Sequence, residues 1–156
     1  MVDEFGERLG TVDLHGSKVG ACKRLVDNLK GEPVVICYWF KHELERLKLA
    51  FPEAVELNEK GAQEAWNAGE VEILLMQPMS ASHGIQLQHG GRNMIFFAPI
   101  WSNDIVSQTI ARLWRKGQKQ AVRVWELVAA GTVDEMIVDR VKGKEKFDAL
   151  FSKLLG

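Results

Sequence analysis

Short runs of apolar residues alternate along this chain with segments of helical spacing, and this alternation constrains the fold more than any other feature. Pro33–Trp39, Val71–Met76 and Asn93–Ala98 are short, apolar and rich in β-branched or aromatic residues. Such runs predict buried strands. Strands that alternate with helical segments of about 10–15 residues are typical of βαβ units and a mostly parallel sheet. We therefore predict an α/β fold in which helices flank a mostly parallel sheet.

The same patterns place the remaining elements. Helices are predicted over Ser17–Lys30, His42–Phe51, Ala62–Ala68, Asp104–Lys116 and Thr132–Leu155, and strands over Ala54–Leu57 and, near an edge of the sheet, Ala121–Val128. A chain of 156 residues has the length of one domain. We expect that domain to cover residues 1–156, with residues 1–16 as a flexible N-terminal segment.

Composition and charge exclude several classes of protein. The formal net charge is −1, which argues against a strongly basic nucleic-acid coat. No run approaches the roughly 18 apolar residues of a membrane span, and the acidic, polar start of the chain does not resemble a secretory signal. Two cysteines, Cys22 and Cys37, are too few for a disulfide framework. We expect a cytoplasmic protein with reduced thiols and no membrane partner.

The small net charge hides an asymmetry between the two halves of the chain. Residues 1–76 carry 9 Lys and Arg against 14 Asp and Glu, whereas residues 77–156 carry 11 against 7. Ile105–Trp125 contains five cations and no acid. A local field of that sign suits an anionic partner such as phosphate. A solvated basic face explains the charge equally well.

Two loops that follow predicted strands are candidates for chemistry, because ligands of open α/β sheets bind beyond the carboxyl ends of the strands. These loops are Gln77–Gly91 and Pro99–Asn103. The first is long for a plain connection in a compact domain, and Gly84 would let its backbone approach an anion or a ribose closely. His83 and His89 do not indicate a metal site, because no Cys, Asp or Glu lies between residues 77 and 103.

The predicted helix Asp104–Lys116 carries a polar stripe. Gln108, Arg112 and Arg115 are spaced by four and three residues, so at about 100° per residue they lie within about 60° of one another. Guanidinium groups match phosphate oxygens with paired hydrogen bonds. Lys116, Gln118 and Lys119 extend the stripe, and Ile105, Ile110, Leu113 and Trp114 can face the sheet. The alternative is a set of surface arginines on an amphipathic helix.

The rest of a nucleotide site is missing from the sequence. No GxxxxGK[ST] loop is present, and the nearest string, His15-Gly16-Ser17-Lys18, does not fit the pattern. No predicted strand ends in an Asp-Glu pair that could hold magnesium. The chain therefore offers arginines that could stabilise a transferring phosphate but no cradle for the β- and γ-phosphates.

Five segments resemble, in order and spacing, the motifs of superfamily-two helicases of the Swi/Snf-like type. They are Val34–Phe40 (fourth motif), Ser80–Gln88 with the sequence SASHGIQLQ (fifth motif), Trp101-Ser102 (the tryptophan after the next strand), Gln108–Gln118 with the sequence QTIARLWRKGQ (sixth motif, QxxxRxxRxGQ) and Gly131–Glu135 (the closing signature). The match covers about residues 17–140. The combination is most similar to bacteriophage-encoded members.

The resemblance implies the second, C-terminal RecA-like lobe of an ATP-dependent DNA helicase or translocase. In that family two lobes sandwich ATP, and the first lobe carries the phosphate loop and the acidic pair that holds Mg²⁺. The implied partners are that first lobe, in the same chain or in another, and nucleic acid, with double-stranded DNA expected. The lobe alone is not expected to hydrolyse ATP. A phage-encoded member would work in the cytoplasm of its bacterial host.

The resemblance also implies roles for individual residues. Arg115 is the candidate arginine finger for the γ-phosphate, Arg112 contacts phosphate or buttresses the cleft, and Gln108 orients it. Gly84 and Gln86 lie near the ribose and the joint between the lobes. The candidates for nucleic-acid contact are Ser80, Ser82, His83, Trp101, Lys116 and Lys119; for Trp101, packing between the lobe and the strand is the alternative to direct DNA contact.

Two departures from the family pattern bear on these roles. Ala111 stands where the family often has an acid before the first arginine, which alters hydrogen bonding between the lobes. The region between Leu57 and Glu72 is short and lacks the usual arginine before its helix, which puts any nucleic-acid contact there in doubt. The alternative function is a free-standing, non-catalytic module that binds nucleic acid or protein, and the missing phosphate loop fits both functions.

Overall fold

A computed structural model describes residues 8–14, 17–79 and 84–129. Its elements are β1 (Arg8–Leu14), α1 (Lys18–Asn28), β2 (Val34–Cys37), α2 (Lys41–Ala50), β3 (Val55–Glu56), α3 (Ala62–Asn67), β4 (Ile73–Met76), β5 (Asn93–Phe96), α4 (Asn103–Ile110) and β6 (Arg123–Ala129). The strands form one six-stranded sheet in the order β1-β6-β5-β2-β4-β3. Every neighbouring pair is parallel, which confirms the predicted fold class.

The helices cover both faces of the sheet, because the central strands are apolar on both sides. β2, β4 and β5 are buried at every position, as expected of strands with helices on both faces. Side chains of α3 and α4 pack on one face around Trp66, Leu87 and Leu113. Side chains of α1 and α2 pack on the other face around Cys22 and Leu47.

Serine side chains cap the amino ends of two helices. The Ser17 hydroxyl accepts a hydrogen bond from the Gly20 amide (3.2 Å) at the start of α1. The Ser102 hydroxyl accepts one from the Ile105 amide (3.3 Å) at the start of α4. Each satisfies a backbone donor that has no partner within its helix. Ser102, next to the candidate tryptophan, therefore fixes where α4 leaves the sheet.

Two sequence-based expectations about the sheet differ from the structure. The strand predicted at Ala121–Val128 is internal, because β6 pairs with β5 on one side and β1 on the other. β1 itself was not predicted, and it lies within the segment 1–16. The alternation in Ala121–Val128 was interpreted as an edge position, but five consecutive positions of β6 are buried. The predicted helix Thr132–Leu155 and the closing signature lie outside the described residues.

Both cysteines are free and buried. Burial raises the pKa of the Cys22 thiol to about 12 and raises the pKa of Cys37 as well, so both stay protonated at neutral pH. Within the described ranges, no helix is both long and apolar enough to cross a bilayer.

Candidate functional site

The helix that was predicted to carry the polar stripe is shorter than expected. α4 ends at Ile110, and residues 111–117 continue as turns. The carbonyl of Arg112, which would accept a bond within a continued helix, accepts the Leu87 amide instead (2.9 Å). The carbonyl of Leu113 accepts the Gln118 side-chain amide (3.1 Å). Tertiary hydrogen bonds thus replace the last helical turn, and the prediction of a helix to Lys116 was wrong.

The predicted trio nevertheless shares one surface. Gln108, Arg112 and Arg115 line an open pocket together with Gln86, Gln88, Ala111, Trp114 and Lys116. Gln108 and Arg115 are exposed, and Arg112 is half-buried. The turn after Ile110 therefore preserves the neighbourhood of these side chains although it changes their helical geometry.

The two guanidinium groups converge on one backbone oxygen. Nη1 of Arg112 and Nη1 of Arg115 each donate to the carbonyl of Ile85 at 3.3 Å. Each guanidinium has five N–H donors in a planar fork, a shape that matches phosphate oxygens. The carbonyl fixes the two cations side by side at the edge of the pocket.

The electrostatics of this pair favour an anion. Burial, and then the positive charge of Arg115, lower the pKa of Arg112. Among the described residues, the pocket lining contains guanidinium, amide, ammonium and indole groups but no carboxylate. A bound phosphate would relieve the repulsion between the two cations. The same lining does not fit Mg²⁺, which takes oxygen ligands and at least one carboxylate.

The segment that supplies the Ile85 carbonyl is hydrogen-bonded to side chains of α3. Gly84 adopts a left-handed φ of 87°, a conformation that favours glycine, and it is exposed at the start of the segment. The side-chain amide of Asn67 donates to the Gln86 carbonyl (2.8 Å). The Trp66 indole donates to the Leu87 carbonyl (2.8 Å). The backbone opposite the arginines is therefore anchored to the core.

Gln88 is a pocket residue that sequence reasoning missed. Its side chain is 7% exposed, and its Nε2 donates to the Lys116 carbonyl (3.3 Å) and to the Gln86 side chain (3.4 Å). A buried amide between two polar segments gives no periodic signal, so only its position in the fifth motif could have indicated it.

Trp114 and Gln118 were misassigned. Trp114 was expected to face the sheet, but it is 42% exposed and lines the pocket, because the chain leaves the helical path before it. Gln118 was expected to extend the polar stripe. Its amide is instead turned to the carbonyls of Gly91 (2.9 Å) and Leu113 (3.1 Å).

Of the candidates for nucleic-acid contact that the structure describes, Lys116 lies at this pocket, whereas Trp101 and Lys119 do not. Trp101 is 50% exposed and lines a different pocket, and Lys119 lines a third pocket near Gly90 and Gly91. Lys116 is exposed beside the arginines. Ser80, Ser82 and His83 lie outside the described residues. The turn after α4 bonds to Gly91, before β5, and so lies toward the amino ends of the strands, whereas the sequence analysis sought ligand contacts beyond their carboxyl ends.

Comparisons with known proteins give relatives that are longer than this chain. The chain is 33% identical over 144 residues to protein p41 of Acyrthosiphon pisum secondary endosymbiont phage 1, an alignment that covers 88% of this chain and 31% of p41. It is 33% identical over 73 residues to DNA repair and recombination protein RAD54 of Oryza sativa subsp. japonica, covering 47% of this chain and 7% of that protein.

A third relative also matches only part of its own length to this chain. Over 85 residues it is 34% identical to the RAD54-like DNA repair and recombination protein of Drosophila ananassae, covering 54% of this chain and 11% of that protein. The chain thus spans less than a third of each of these relatives. No family model matches the chain.

A solved structure has the same fold. The crystal structure of the C-terminal part of the Fun30 ATPase domain superposes with a TM-score of 0.71 over 82% of this chain and 48% of that chain, at 19% sequence identity. Two of the relatives are named DNA repair and recombination proteins, and the solved structure shares the fold of this chain. Together they identify this chain as a second, C-terminal RecA-like lobe of the Swi/Snf-like type of superfamily-two helicases.

Proposed function

We propose that this lobe completes the ATP site of a DNA translocase, with Arg112 and Arg115 contacting the phosphates of ATP held by a first lobe. The observation that carries the proposal is the convergence of both guanidinium groups on the Ile85 carbonyl, 3.3 Å from each. Two cations held side by side, in a pocket whose described lining residues include no acid, form a preorganised site for developing phosphate charge.

The proposed roles within the pocket are those that the family resemblance implies, and the exposure of each side chain fits them. Arg115, the more exposed arginine, is the finger that extends to the γ-phosphate, and Arg112, half-buried behind it, holds the adjacent phosphate oxygens. Gln108 is exposed beside them and orients Arg112. Gln86 lines the same pocket, and Gly84 begins the segment that carries it; both are proposed to lie near the ribose. ATP is the substrate, and Mg²⁺ belongs to the acidic pair of the first lobe.

The partners follow from the family. The names of two relatives describe DNA repair and recombination proteins, and we propose DNA as the track, with the duplex as the expected form. Ser80, Ser82, His83, Lys116 and Lys119 remain candidates for contact with its backbone. The phage relative suits a motor that works in the cytoplasm of a bacterial host.

The test is DNA-stimulated ATP hydrolysis by the complete motor, either the longer protein that contains this lobe or this chain combined with its first lobe. Arg115→Ala should lower kcat by about a thousandfold or more, the range seen when an arginine finger is removed. Arg115→Lys should remain strongly impaired, because an ammonium group cannot make the paired hydrogen bonds of a guanidinium.

The matched control is Arg24→Ala, since Arg24 is an exposed arginine on α1, which packs on the other face of the sheet. That variant should hydrolyse ATP at the normal rate, and thermal unfolding should show that all three variants fold. ATP hydrolysis by Arg115→Ala within a few-fold of the unmodified motor would defeat the assignment of the finger.

A further inference from the structure

Gln88 lies where the segment from Ile85 to Gly91 meets the turn after α4. Its side chain is 7% exposed. Among the described residues, Gln88 alone lines both the pocket that contains the two arginines and the third pocket, near Gly90 and Gly91. Gln88 therefore lies in the wall between the two pockets.

The side-chain amide of Gln88 is bonded on one side only. Its Nε2 donates to the Lys116 carbonyl (3.3 Å) and to the Gln86 side chain (3.4 Å). Its Oε1 is buried and accepts no hydrogen bond within the part of the chain that the structure describes. A buried acceptor without a donor destabilises the folded state, and native structures contain few of them. Stability alone therefore does not explain an amide at residue 88.

The bond from Nε2 fixes the backbone next to Arg115. Residues 111–117 lie outside α4, so the Lys116 carbonyl is not held by bonds within a helix. The Arg115 guanidinium donates to the Ile85 carbonyl, three residues before Gln88 (3.3 Å). The side chain of Arg115 and the backbone that follows it are therefore bonded to the same short segment, and Gln88 supplies the bond to the backbone.

An uncharged donor suits this position. Arg112, Arg115 and Lys116 line the pocket on one side of Gln88, and the described lining of that pocket contains no acid. A carboxylate at residue 88 would pair with a guanidinium and compete with phosphate for it. An ammonium group there would add to the repulsion among the cations. The amide of Gln88 donates to the Lys116 carbonyl without either effect.

We propose that Gln88 is a positioning residue for the arginine finger: its amide holds the backbone after Arg115, so that the Arg115 guanidinium stays directed at the γ-phosphate. The inference rests on the proposed function, in which Arg115 contacts ATP. It adds that a side chain that does not touch ATP determines the reach of the finger. It also adds that this side chain contributes to turnover rather than to stability.

The first measurement is DNA-stimulated ATP hydrolysis by the complete motor with Gln88→Met. Methionine has a similar length but no hydrogen-bond donor, so it fills the same space and loses the bond to the Lys116 carbonyl. We expect kcat to fall on the order of tenfold to a hundredfold, the effect of a small displacement of a catalytic group, with little change in KM for ATP. The midpoint of urea unfolding should stay the same or rise, because the buried oxygen without a donor is removed.

Gln120→Met is the matched control, since Gln120 is an exposed glutamine beyond the turn. It should leave kcat and the unfolding midpoint unchanged. A kcat within a few-fold of normal in Gln88→Met, together with an inactive Arg115→Ala, overturns this inference and leaves the proposed function standing. A normal kcat in Arg115→Ala overturns the arginine finger and this inference with it.

A double-mutant cycle distinguishes positioning from a general structural role. Gln88→Met should have no further effect on kcat when Arg115 is already alanine, because Gln88 acts through that guanidinium. A loss of kcat by the same factor in both backgrounds would show that Gln88 acts independently of Arg115, and would overturn the inference.

Amide hydrogen exchange of the chain without ATP gives a readout that needs no hydrolysis. In Gln88→Met the amides of residues 111–118 should exchange faster than in the unmodified chain, whereas those of α1 should exchange at the same rate. Unchanged exchange over residues 111–118 would show that Gln88 does not hold the turn, and would overturn the inference.

Discussion

Gly90 lies where the backbone runs against the buried indole of Trp66. A Cβ built on Gly90 would overlap the Trp66 carbonyl and its indole ring. Trp66 is completely buried and donates to the Leu87 carbonyl three residues before Gly90. A glycine at residue 90 is therefore a requirement of packing, and the tryptophan that it accommodates anchors the segment opposite the arginines.

This packing predicts opposite effects of the same substitution at two glycines. Gly90→Ala should lower the free energy of unfolding by about 1–3 kcal/mol, since the added methyl has no room. Gly20→Ala should raise it by about 0.5–1 kcal/mol, because alanine restricts the unfolded chain and favours α1. At Gly20 an added Cβ meets its nearest atom at 3.5 Å, an ordinary contact. Urea denaturation measures both, and equal effects would contradict this account.

Among the elements, the segment from Ile85 to Gly91 and the turn after α4 behave as one unit. The Leu87 amide bonds to the Arg112 carbonyl (2.9 Å), the Gln88 side chain bonds to the Lys116 carbonyl (3.3 Å), and the Gln118 side chain bonds to the Gly91 carbonyl (2.9 Å). These bonds connect the fifth and sixth motifs through backbone groups. The arginines are therefore positioned by neighbouring loops rather than by a helix.

A substitution of Gln118 tests whether its hydrogen bonds hold these two segments together. Gln118→Ala leaves the carbonyls of Gly91 and Leu113 without this donor, so we expect a loss of about 1–3 kcal/mol in unfolding free energy. In the complete motor it should also lower kcat, because the turn that holds Arg115 loosens. Gln120→Ala is the matched control, an exposed glutamine two residues on. Equal stability of the two variants in urea would show that the joint does not depend on Gln118.

Across the whole molecule, one carboxylate connects the amino ends of three neighbouring strands. Glu32 precedes β2 and bonds to Arg92, before β5 (3.0 Å), and to Arg123, at the start of β6 (3.0 Å). Arg123 also donates to Asn93 (2.9 Å) and lies 5.5 Å from the Trp125 ring. The network joins the amino ends of these strands, which is the end of the sheet that the turn after α4 contacts.

This network predicts a pH dependence of stability. The hydrogen bond from Arg92, with the charges of Arg123 and Arg92, lowers the pKa of Glu32 below its usual 4.5. The unfolded chain therefore binds a proton more readily, so the stabilisation is present above that value and is lost as the pH falls through the lowered pKa. The effect should be modest, because the Glu32 side chain is 39% exposed.

Glu32→Gln provides the measurement. The difference in unfolding free energy between the unmodified chain and this variant should be greatest at neutral pH and shrink below about pH 4. Glu72→Gln is the control, an exposed glutamate that precedes β4. A difference that stays constant from neutral pH to pH 3 would mean that the carboxylate charge does not stabilise the fold.

The sequence by itself determined the α/β class, most element positions and the trio of polar side chains. Strand and helix patterns are local features of the sequence. The strand Val34–Cys37 and the spacing of Gln108, Arg112 and Arg115 can therefore be recognised without knowing which distant residues pack against them. The motifs also indicated the family to which the chain belongs. The tertiary structure decided where α4 ends, because the Arg112 carbonyl takes its hydrogen bond from Leu87, 25 residues earlier in the chain.

The same reason explains the other differences. β6 is internal because β1 adds beside it, and a strand's neighbours depend on distant residues rather than on its own pattern. Trp114 lines the pocket because the turn that carries it departs from the helical path. Gln88 lines the pocket because its side chain bonds to the turn after α4, a contact between two loops that are distant in sequence. Local periodicity fixes which residues share a face of one element. Contacts between distant segments fix which faces meet, and only the folded chain contains them.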